Sequence, residues 1–275
     1  MKKFSRKKLI IFAVIAVILC VLLFFGNSAL QITNYNYSSD SIPEDFDNFK
    51  IVQISDLHNK RFGKNAQQLT KKIKQCNPDI IVITGDLIDS NHTNIDNALD
   101  AAKAFTEIAP TYFVTGNHEK WLDDDDFNTL VSELENLGII ILNDSSAEIK
   151  KENSSFSLIG LDDESLTDDT LNTLLKENSS DFKVLLAHEP QFFDDYSTSD
   201  ADLVLSGHAH GGQIRIPFTH IGIIAPDQYF LPEYSEGKFS KNGTTMIISR
   251  GLGNSIIPFR IFNRPEIVCV TLHCI

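Results

Sequence analysis

The apolar positions near the N-terminus form one uninterrupted run. Residues 9–25 are 17 consecutive apolar residues without a charge. As a helix rising about 1.5 Å per residue, the run would cover about 25 Å, the short end of the transmembrane range. No clear pair of small residues follows it at the spacing of a cleavage site, and it is longer than the core of a usual signal peptide. We therefore predict a transmembrane anchor within residues 1–30, with a cleaved signal peptide as the alternative.

The rest of the chain alternates short apolar runs with amphipathic segments. Nine runs rich in branched residues predict buried strands: FKIVQIS, DIIVITG, TYFVTG, GIIIL, SFSLIGL, FKVLLA, ADLVLSG, TTMIIS and IVCVTL. Helical spacing with polar faces marks four segments: residues 64–75, 95–108, 125–136 and 168–177. The pattern predicts an α/β (α+β) domain over residues 46–275 whose sheets are covered on both faces. Residues 31–45 are polar and are interpreted as a linker.

Charge is distributed unevenly along the chain. Five of the 24 basic residues lie in the first eight positions, and no acidic residue precedes Asp40. From residue 26 onward, 19 basic residues face 37 acidic ones, a balance of −18. The basic N-terminus predicts a single-pass protein of the cell membrane with its body on the extracytoplasmic side. The acidic body makes a nucleic-acid partner unexpected.

The four cysteines suggest no special chemistry. They show no CxxC spacing, and three of them are scattered through the body. This arrangement favours neither a zinc knuckle, nor a redox pair, nor a disulfide framework.

Possible metal ligands follow five of the predicted strands. In chain order these residues are Asp56-Leu57-His58, Asp86 with Asp89, Asn117-His118-Glu119, His188, and His208-Ala209-His210. Taken singly, each group also suits a turn or a helix cap. Taken together, they favour a metal site, because the carboxyl ends of strands are where sites assemble in α/β proteins.

These blocks resemble the calcineurin-like metallophosphoesterase superfamily in identity and in order. The matching residues are Asp56-x-His58, Gly85-Asp86-x-x-Asp89, Gly116-Asn117-His118-Glu119, His188 and Gly207-His208-x-His210. FKIVQISDLH, GHAHGGQIRIP and RGLGNSIIPFRIFNRPEI look like a branch of bacterial membrane-anchored phosphoesterases. Some members of that branch hydrolyse the pyrophosphate of UDP-2,3-diacylglucosamine. The resemblance implies a four-layer sandwich of two mixed sheets flanked by helices.

The resemblance also implies two divalent metal ions and a role for each motif residue. Asp56, His58 and His210 would hold one ion. Asn117, His188 and His208 would hold the other, and Asp86 would bridge both. These ligands suit Mn, Fe or Zn, and two cations about 3.5–4 Å apart can clamp a phosphoryl group. A hydroxide bridging the metals would be the nucleophile. His118 would protonate the leaving oxygen, and Asp89 would orient its ring.

Two departures from other branches bear on the substrate. Protein serine/threonine phosphatases of the superfamily have Asp-Arg-Gly where this chain has Asp89-Ser90-Asn91, and purple acid phosphatases have a ligating tyrosine at Asp89. We therefore expect a phosphodiester or pyrophosphate substrate, lipid-linked or nucleotide-containing. A broad phosphomonoesterase is the alternative. A metal-stabilised binding module without turnover is a weaker one, because the ligand set is complete and His118 is retained.

Several segments keep two interpretations. Residues 214–234 are rich in Ile, Phe and Pro, and either face lipid near the membrane or form an ordinary packed loop. Residues 211–213 either line the site or only make a turn, and a turn is favoured for Asp162-Asp163. The acidic run 123–126 suits a solvated helix start better than a calcium site, because alternating oxygen ligands are missing. Substrate-binding residues and oligomeric state are not predicted.

Overall fold

The fold is described from a computed structural model, which covers residues 6–163, 165–254 and 257–275. Its seven α-helices within those residues are α1 (Arg6–Ser28), α2 (Gln67–Cys76), α3 (Ile95–Thr106), α4 (Asn117–Lys120), α5 (Asp124–Asn136), α6 (Asp168–Glu177) and α7 (Phe193–Tyr196). The four predicted body helices correspond to α2, α3, α5 and α6.

Fourteen strands occur in the same part of the chain. They are β1 (Gln31–Ser39), β2 (Lys50–Ile54), β3 (Ile80–Thr84), β4 (Thr111–Val114), β5 (Ile140–Ile141), β6 (Ser145–Lys151), β7 (Ser154–Gly160), β8 (Lys183–Leu186), β9 (Leu203–Ser206), β10 (Ile224–Ala225), β11 (Tyr229–Phe230), β12 (Gly237–Lys241), β13 (Thr244–Ile248) and β14 (Glu266–Cys274). All nine predicted strands are present.

Most of these strands form two six-stranded mixed sheets. The first has the order β1-β14-β2-β3-β4-β5 and the second the order β12-β13-β9-β8-β7-β6, while β10 and β11 pair only with each other. Strands β2 to β5 run parallel, as do β7, β8, β9 and β13. Parallel pairs need long crossovers, and α2, α3 and α5 occupy those of the first sheet.

The sheets pack face to face, and helices cover their outer faces. Ile51 and Val82 of the first sheet meet Phe156 and Leu205 of the second in one buried cluster. Side chains of α2, α3 and α5 pack on the other face of the first sheet, and those of α6 and α7 on that of the second. The four-layer α/β sandwich expected from the resemblance is confirmed. It explains the apolar strands, since both faces of each sheet are buried.

The expected linker over residues 31–45 is wrong for its first nine residues. They form β1, which pairs in parallel with β14 from Gln31 opposite Glu266 to Ser39 opposite Cys274. Strands β6, β10, β11 and β12 were also missed. Strands β1, β6 and β12 are edge strands with polar, partly exposed side chains, so they lack the apolar run that marks a central strand. Strands β10 and β11 have only two residues each.

The acidic run 123–126 matches its interpretation as a helix start, and the N-terminal apolar run is helical. The carboxylate of Asp123 accepts a hydrogen bond from the backbone N–H of Asp126 and caps α5, so the acidic run is a helix start. Helix α1 is 23 residues long with a mean hydropathy of 3.3, and only 6% of its apolar window is buried. It is the one helix in the described part of the chain long and apolar enough to cross a bilayer, although a signal sequence can have the same character.

Candidate metal centre

The topology brings the carboxyl ends of strands from both sheets to one edge of the sandwich. In the first sheet these are β2, β3 and β4; in the second they are β8 and β9. Gln53 ties the two sheets together there. Its buried side-chain amide donates to the Ser206 carbonyl of β9 at 2.8 Å and to the Thr84 hydroxyl of β3 at 2.9 Å. The residues that follow these strands therefore meet although up to 154 positions separate them in sequence.

We call seven of these residues the ligand ring: Asp56, His58, Asp86, Asn117, His188, His208 and His210. All seven are buried. Five of them have a positive φ, between 46° and 64°: Asp56, His58, Asp86, His208 and His210. Such backbone is uncommon in residues other than glycine and concentrates at functional sites. Here each of the five residues lies two or four positions after the end of a strand.

One end of the ring is formed by Asp56, His58, Asp86 and His210. Their ligand atoms lie within 4.8 Å of one another. The Nε2 atoms of His58 and His210 are 3.2 Å apart, and Nε2 of His210 lies 3.5 Å from Oδ1 of Asp56. Four nitrogen and oxygen ligand atoms thus lie in one small volume, as in a metal site.

The other end is formed by Asn117, His188 and His208, again with Asp86. The side-chain oxygen of Asn117 lies 2.9 Å from Nδ1 of His208 and 3.1 Å from Nε2 of His188. Asp86 belongs to both ends. Its Oδ2 lies 3.4 Å from Nε2 of His58 and 3.4 Å from Nε2 of His188. A single carboxylate oxygen therefore stands midway between the two donor groups.

The ring fits a pair of divalent cations. Oδ2 of Asp56 is buried without a hydrogen-bond partner, and burial of an unpartnered carboxylate oxygen is costly unless a cation binds it. Burial lowers the pKa of His58, so its ring is neutral, as a metal ligand must be. Burial alone would raise the pKa of Asp86, but His188 and His58 outweigh it and hold that pKa well below its usual range. Carboxylates, imidazoles and an amide oxygen suit transition-metal dications.

Gly85 shows why the turn after β3 needs glycine. Its φ is 82°, and a Cβ atom there would lie 2.4 Å from Nδ1 of His188 and 2.7 Å from Cα of Gly116. Any side chain would displace both neighbouring loops. Position 85 therefore requires glycine for two reasons: its positive φ, and the close packing of His188 and Gly116 against it.

Glu119 stabilises the loops that carry Asp86 and Asn117, a role that the sequence did not predict. Its buried carboxylate accepts hydrogen bonds from the backbone N–H groups of Asp86 and Gly116 at 2.8 Å and of Ile88 at 3.1 Å. It therefore joins the loop after β3 to the loop after β4. Burial, aided by the charge of Asp86, raises the pKa of Glu119 to about 8. Its adjacency to Asn117 and His118 was the available signal.

His118 lies at the rim of the ligand ring. The centroid of its imidazole is 4.5 Å from that of the His58 imidazole and 5.0 Å from that of the Trp121 side chain. Its Nδ1 is 3.1 Å from both the backbone nitrogen and the hydroxyl of Ser90. Asp89, expected to orient this ring, lies farther away at 3.5 Å, outside normal hydrogen-bond distance. Because the Ser90 backbone N–H donates to Nδ1, the neutral ring carries its proton on Nε2.

Two further residues contact the ring from outside, and sequence reasoning named neither. Oδ2 of Asp227 lies 2.8 Å from Nε2 of His208, a carboxylate–imidazole contact typical of metal-ligating histidines. Arg260, fully buried, places Nη2 3.2 Å from Nδ1 of His210. Asp227 lies in the apolar segment 214–234, where only its isolated charge could have marked it.

The structure also places Asp162-Asp163 and residues 211–213, for which the sequence left two interpretations. Asp162 pairs with Lys120 and Thr115, so it stabilises the loop after β7. Asp163 is buried, and burial raises its pKa to about 7. Residues His210–Gly212 form a 3-10 turn, with Gln213 buried beside it.

Comparison with known proteins identifies the family. The calcineurin-like phosphoesterase model matches residues 49–212, the span that holds the whole ligand ring. The chain belongs to this family. It is 31% identical to the metallophosphoesterase YkuE of Bacillus subtilis over 88% of this chain and 85% of that protein. It is 30% identical to the metallophosphoesterase Cj0846 of Campylobacter jejuni over 96% and 70% of the two chains. A transmembrane protein with a metallophosphoesterase domain from Danio rerio is 28% identical over 85% and 55%.

Family membership gives the activity at a coarse level. The chain is a metal-dependent phosphoester hydrolase, its substrate contains phosphate, and its buried Asp and His side chains form groups that could hold metal ions. The metal-dependent phosphoesterase expected from the sequence motifs is confirmed.

Proposed function

We propose that the chain is a membrane-anchored phosphoesterase that hydrolyses a phosphodiester or pyrophosphate bond in a lipid-linked or nucleotide-containing substrate. The observation that carries the dinuclear assignment is the position of Asp86, 3.4 Å from Nε2 of both His58 and His188. Asp56, His58 and His210 would hold one ion, Asn117, His188 and His208 would hold the other, and Asp86 would serve both. Two bound dications would supply a nucleophilic water and neutralise charge on the phosphoryl oxygens.

His118 is proposed as the general acid. It is buried at the rim, and its backbone N–H donates to Oδ1 of Asp86 at 2.9 Å. This bond fixes the side chain beside the ligand ring without making it a ligand. With Ser90 at Nδ1, the Nε2–H is the donor available to the leaving oxygen. Asp89, beside Ser90, contributes negative charge close to the ring.

Ser90, the residue beside Asp89, supports a phosphodiester or pyrophosphate as the proposed substrate. Ser90 stands where protein phosphatases of the superfamily carry arginine, and its hydroxyl contacts His118. A phosphomonoester dianion has one more charge to clamp than a diester, so the missing guanidinium favours the diester or pyrophosphate. The membrane location is supported by α1 and by the similarity to the Danio rerio transmembrane protein. The basic N-terminal residues favour an extracytoplasmic body.

A metal-reconstitution assay tests the activity. The full chain is purified in detergent, stripped with a chelator, and reloaded separately with Mn²⁺, Fe²⁺ or Zn²⁺. Rates are measured on bis-para-nitrophenyl phosphate, para-nitrophenyl phosphate and a panel of lipid-linked pyrophosphates. We expect activity to return with metal and kcat/KM to be higher on the diester or pyrophosphates. Preference for the monoester would make the chain a phosphomonoesterase instead.

A reporter fused after Ile275 tests the topology. Activity of the reporter outside the cytoplasm is expected, in a membrane-bound protein. A cytoplasmic signal would reverse the orientation, and a shortened soluble product would identify residues 1–30 as a cleaved signal peptide.

A further inference from the structure

Helix α1 joins the body at the edge of the sandwich that carries the ligand ring. Strand β1 begins at Gln31, directly after the helix, and runs parallel to β14. Strand β14 in turn runs antiparallel to β2, with Val268 opposite Gln53. The start of β1 and the carboxyl end of β2 therefore lie at the same edge, where Asp56 follows β2. The end of β14 lies at the opposite edge.

Direct contacts connect the end of α1 to the ligand ring. Gly26 packs so closely on the backbone of Arg260 that a Cβ atom would lie 2.2 Å from the Arg260 carbonyl oxygen. Asn254 donates to the side-chain oxygen of Asn27 at 2.9 Å, and Arg264 donates to the Ala29 carbonyl at 2.8 Å. Since Arg260 also contacts His210, one side chain separates the helix end from a ring residue.

Beside this junction lies a surface that we call the apolar lip, made of residues 216–231 and 259–262. Its exposed apolar side chains are Ile216, Phe218, Ile221, Ile224, Tyr229, Phe230, Leu231, Phe259 and Phe262. Phe218 is completely exposed, and Phe230 is 70% exposed. The backbone N–H of Arg215 donates to the Ile261 carbonyl at 3.0 Å and joins the two parts. Exposed large apolar side chains concentrated in this way mark an interaction site.

The lip adjoins both the helix exit and the metal centre. A cavity of about 940 Å³ is lined by Gln31, just after α1, together with Phe218 and Phe262 of the lip. Asp227 of the lip also contacts the ligand ring, since its Oδ2 lies 2.8 Å from Nε2 of His208. The lip therefore lies between the point where the chain leaves α1 and the mouth of the ligand ring.

Charge favours a lipid surface as the partner of the lip. The body carries a balance of −18, yet the only acid in the lip is Asp227, which is paired with His208. Arg264 stands exposed next to the lip, at the end of α1. Exposed aromatic side chains with a cation nearby are the pattern of a membrane interface.

We propose that the apolar lip inserts into the bilayer interface beside α1, so that the metal centre faces the membrane and takes its phosphate substrate directly from the lipid layer. This rests on the proposed membrane-anchored function. The bilayer that receives α1 is the occupant because the lip is continuous with the end of that helix. A second copy of the chain and another protein are the competing occupants.

Insertion is tested by quenching of introduced tryptophans with brominated lipid. The full chain carrying Trp121→Phe is reconstituted in nanodiscs of brominated phosphatidylcholine, with Phe218→Trp, Phe230→Trp or Ile275→Trp added one at a time. Ile275 is 79% exposed at the opposite edge and is the matched control. The two lip probes should lose most of their emission and shift to the blue, while the control should keep both. Unquenched lip probes in nanodisc-bound protein would overturn the proposal, as would probes shielded only in a dimer or by an added protein.

A pair of diesters sharing one leaving group tests the consequence for the substrate. Hexadecyl para-nitrophenyl phosphate in phosphatidylcholine nanodiscs is compared with water-soluble bis-para-nitrophenyl phosphate. In the triple variant Phe218→Ser, Phe230→Ser, Leu231→Ser, we expect KM for the lipid diester to rise about tenfold relative to KM for the soluble one, from the lost apolar insertion. Ile275→Ser should keep the wild-type ratio.

The results distinguish failure of the lip proposal from failure of the proposed enzymatic function. An equal loss on both diesters would make the lip part of the site's scaffold and overturn the proposal. If the metal-loaded wild-type chain hydrolysed neither diester and none of the lipid-linked pyrophosphates, the proposed function would be refuted, whereas the quenching result would still report on insertion.

Discussion

The ligand ring and the apolar lip share one edge of the sandwich and depart from ordinary burial in opposite directions. The ring buries three carboxylate or amide side chains and four imidazoles, while the lip exposes nine large apolar side chains. Folding alone favours neither arrangement, because polar groups lose hydration on burial and apolar groups gain from leaving water. Each region is explained by something that binds there: dications in the ring and, as we propose, lipid at the lip.

The two regions also differ in how they are built. Five strands from both sheets contribute to the ring, with residues between positions 56 and 210, so its geometry depends on the whole sandwich. Most of the lip is one continuous segment, with a two-stranded hairpin of only two residues per strand. We therefore expect changes in the ring to affect all substrates, and changes in the lip to affect only those presented in a membrane.

The largest effect is expected from Asp86→Asn in the ring. Asn lacks the charge that serves both donor groups, so metal content should fall and activity should drop by at least about 10³-fold on soluble and lipid diesters alike. Metal analysis and kcat/KM measure this. Asp125→Asn, on the exposed face of α5, is the matched control. Two bound metals and near-normal turnover in Asp86→Asn would remove Asp86 from the bridge.

His118→Asn should separate proton delivery from metal binding. We expect an unchanged metal stoichiometry and a kcat loss of about 10²–10⁴-fold, as for removal of a general acid. The loss should shrink on a para-nitrophenyl ester compared with an alkyl ester, because the weaker base needs less protonation. His273→Asn, at the far edge, is the control. Equal losses on both esters, or a lost metal, would make His118 structural or a ligand.

The smallest of the three effects is expected at Asp227, which belongs to the lip but contacts the ring. Asp227→Ala removes the carboxylate 2.8 Å from Nε2 of His208, and metal affinity should fall about 10–100-fold. Metal titration of the stripped protein checks this against Asp200→Ala, an exposed control. A change confined to lipid substrates, with metal affinity retained, would assign Asp227 to the lip rather than to the ring.

Functional residues that follow an apolar strand can be predicted from the sequence, whereas those that act through tertiary contacts cannot. Each ring residue follows an apolar strand closely, and the seven named in advance lie together. The contacts of Ser90 with His118 and of Arg260 with His210 were missed because nothing in the local sequence of either residue indicates them. Ser90 is important only because the turn after Asp89 brings its N–H to His118. Arg260 is important because the last loop folds back over His210.

The sequence by itself determined the central strands, four of the body helices, the apolar N-terminal helix and the acidic, amide and histidine residues that cluster at one edge. These follow from local periodicity and from residue types that suit one chemistry. Only the tertiary structure decided that residues 31–39 form an edge strand, since their pairing partner lies 235 positions away in β14. That pairing also places the end of α1 at the ligand edge. The position of the ligand ring at the same edge as the end of α1 thus depends on strand order, a non-local property that no short segment of the chain encodes.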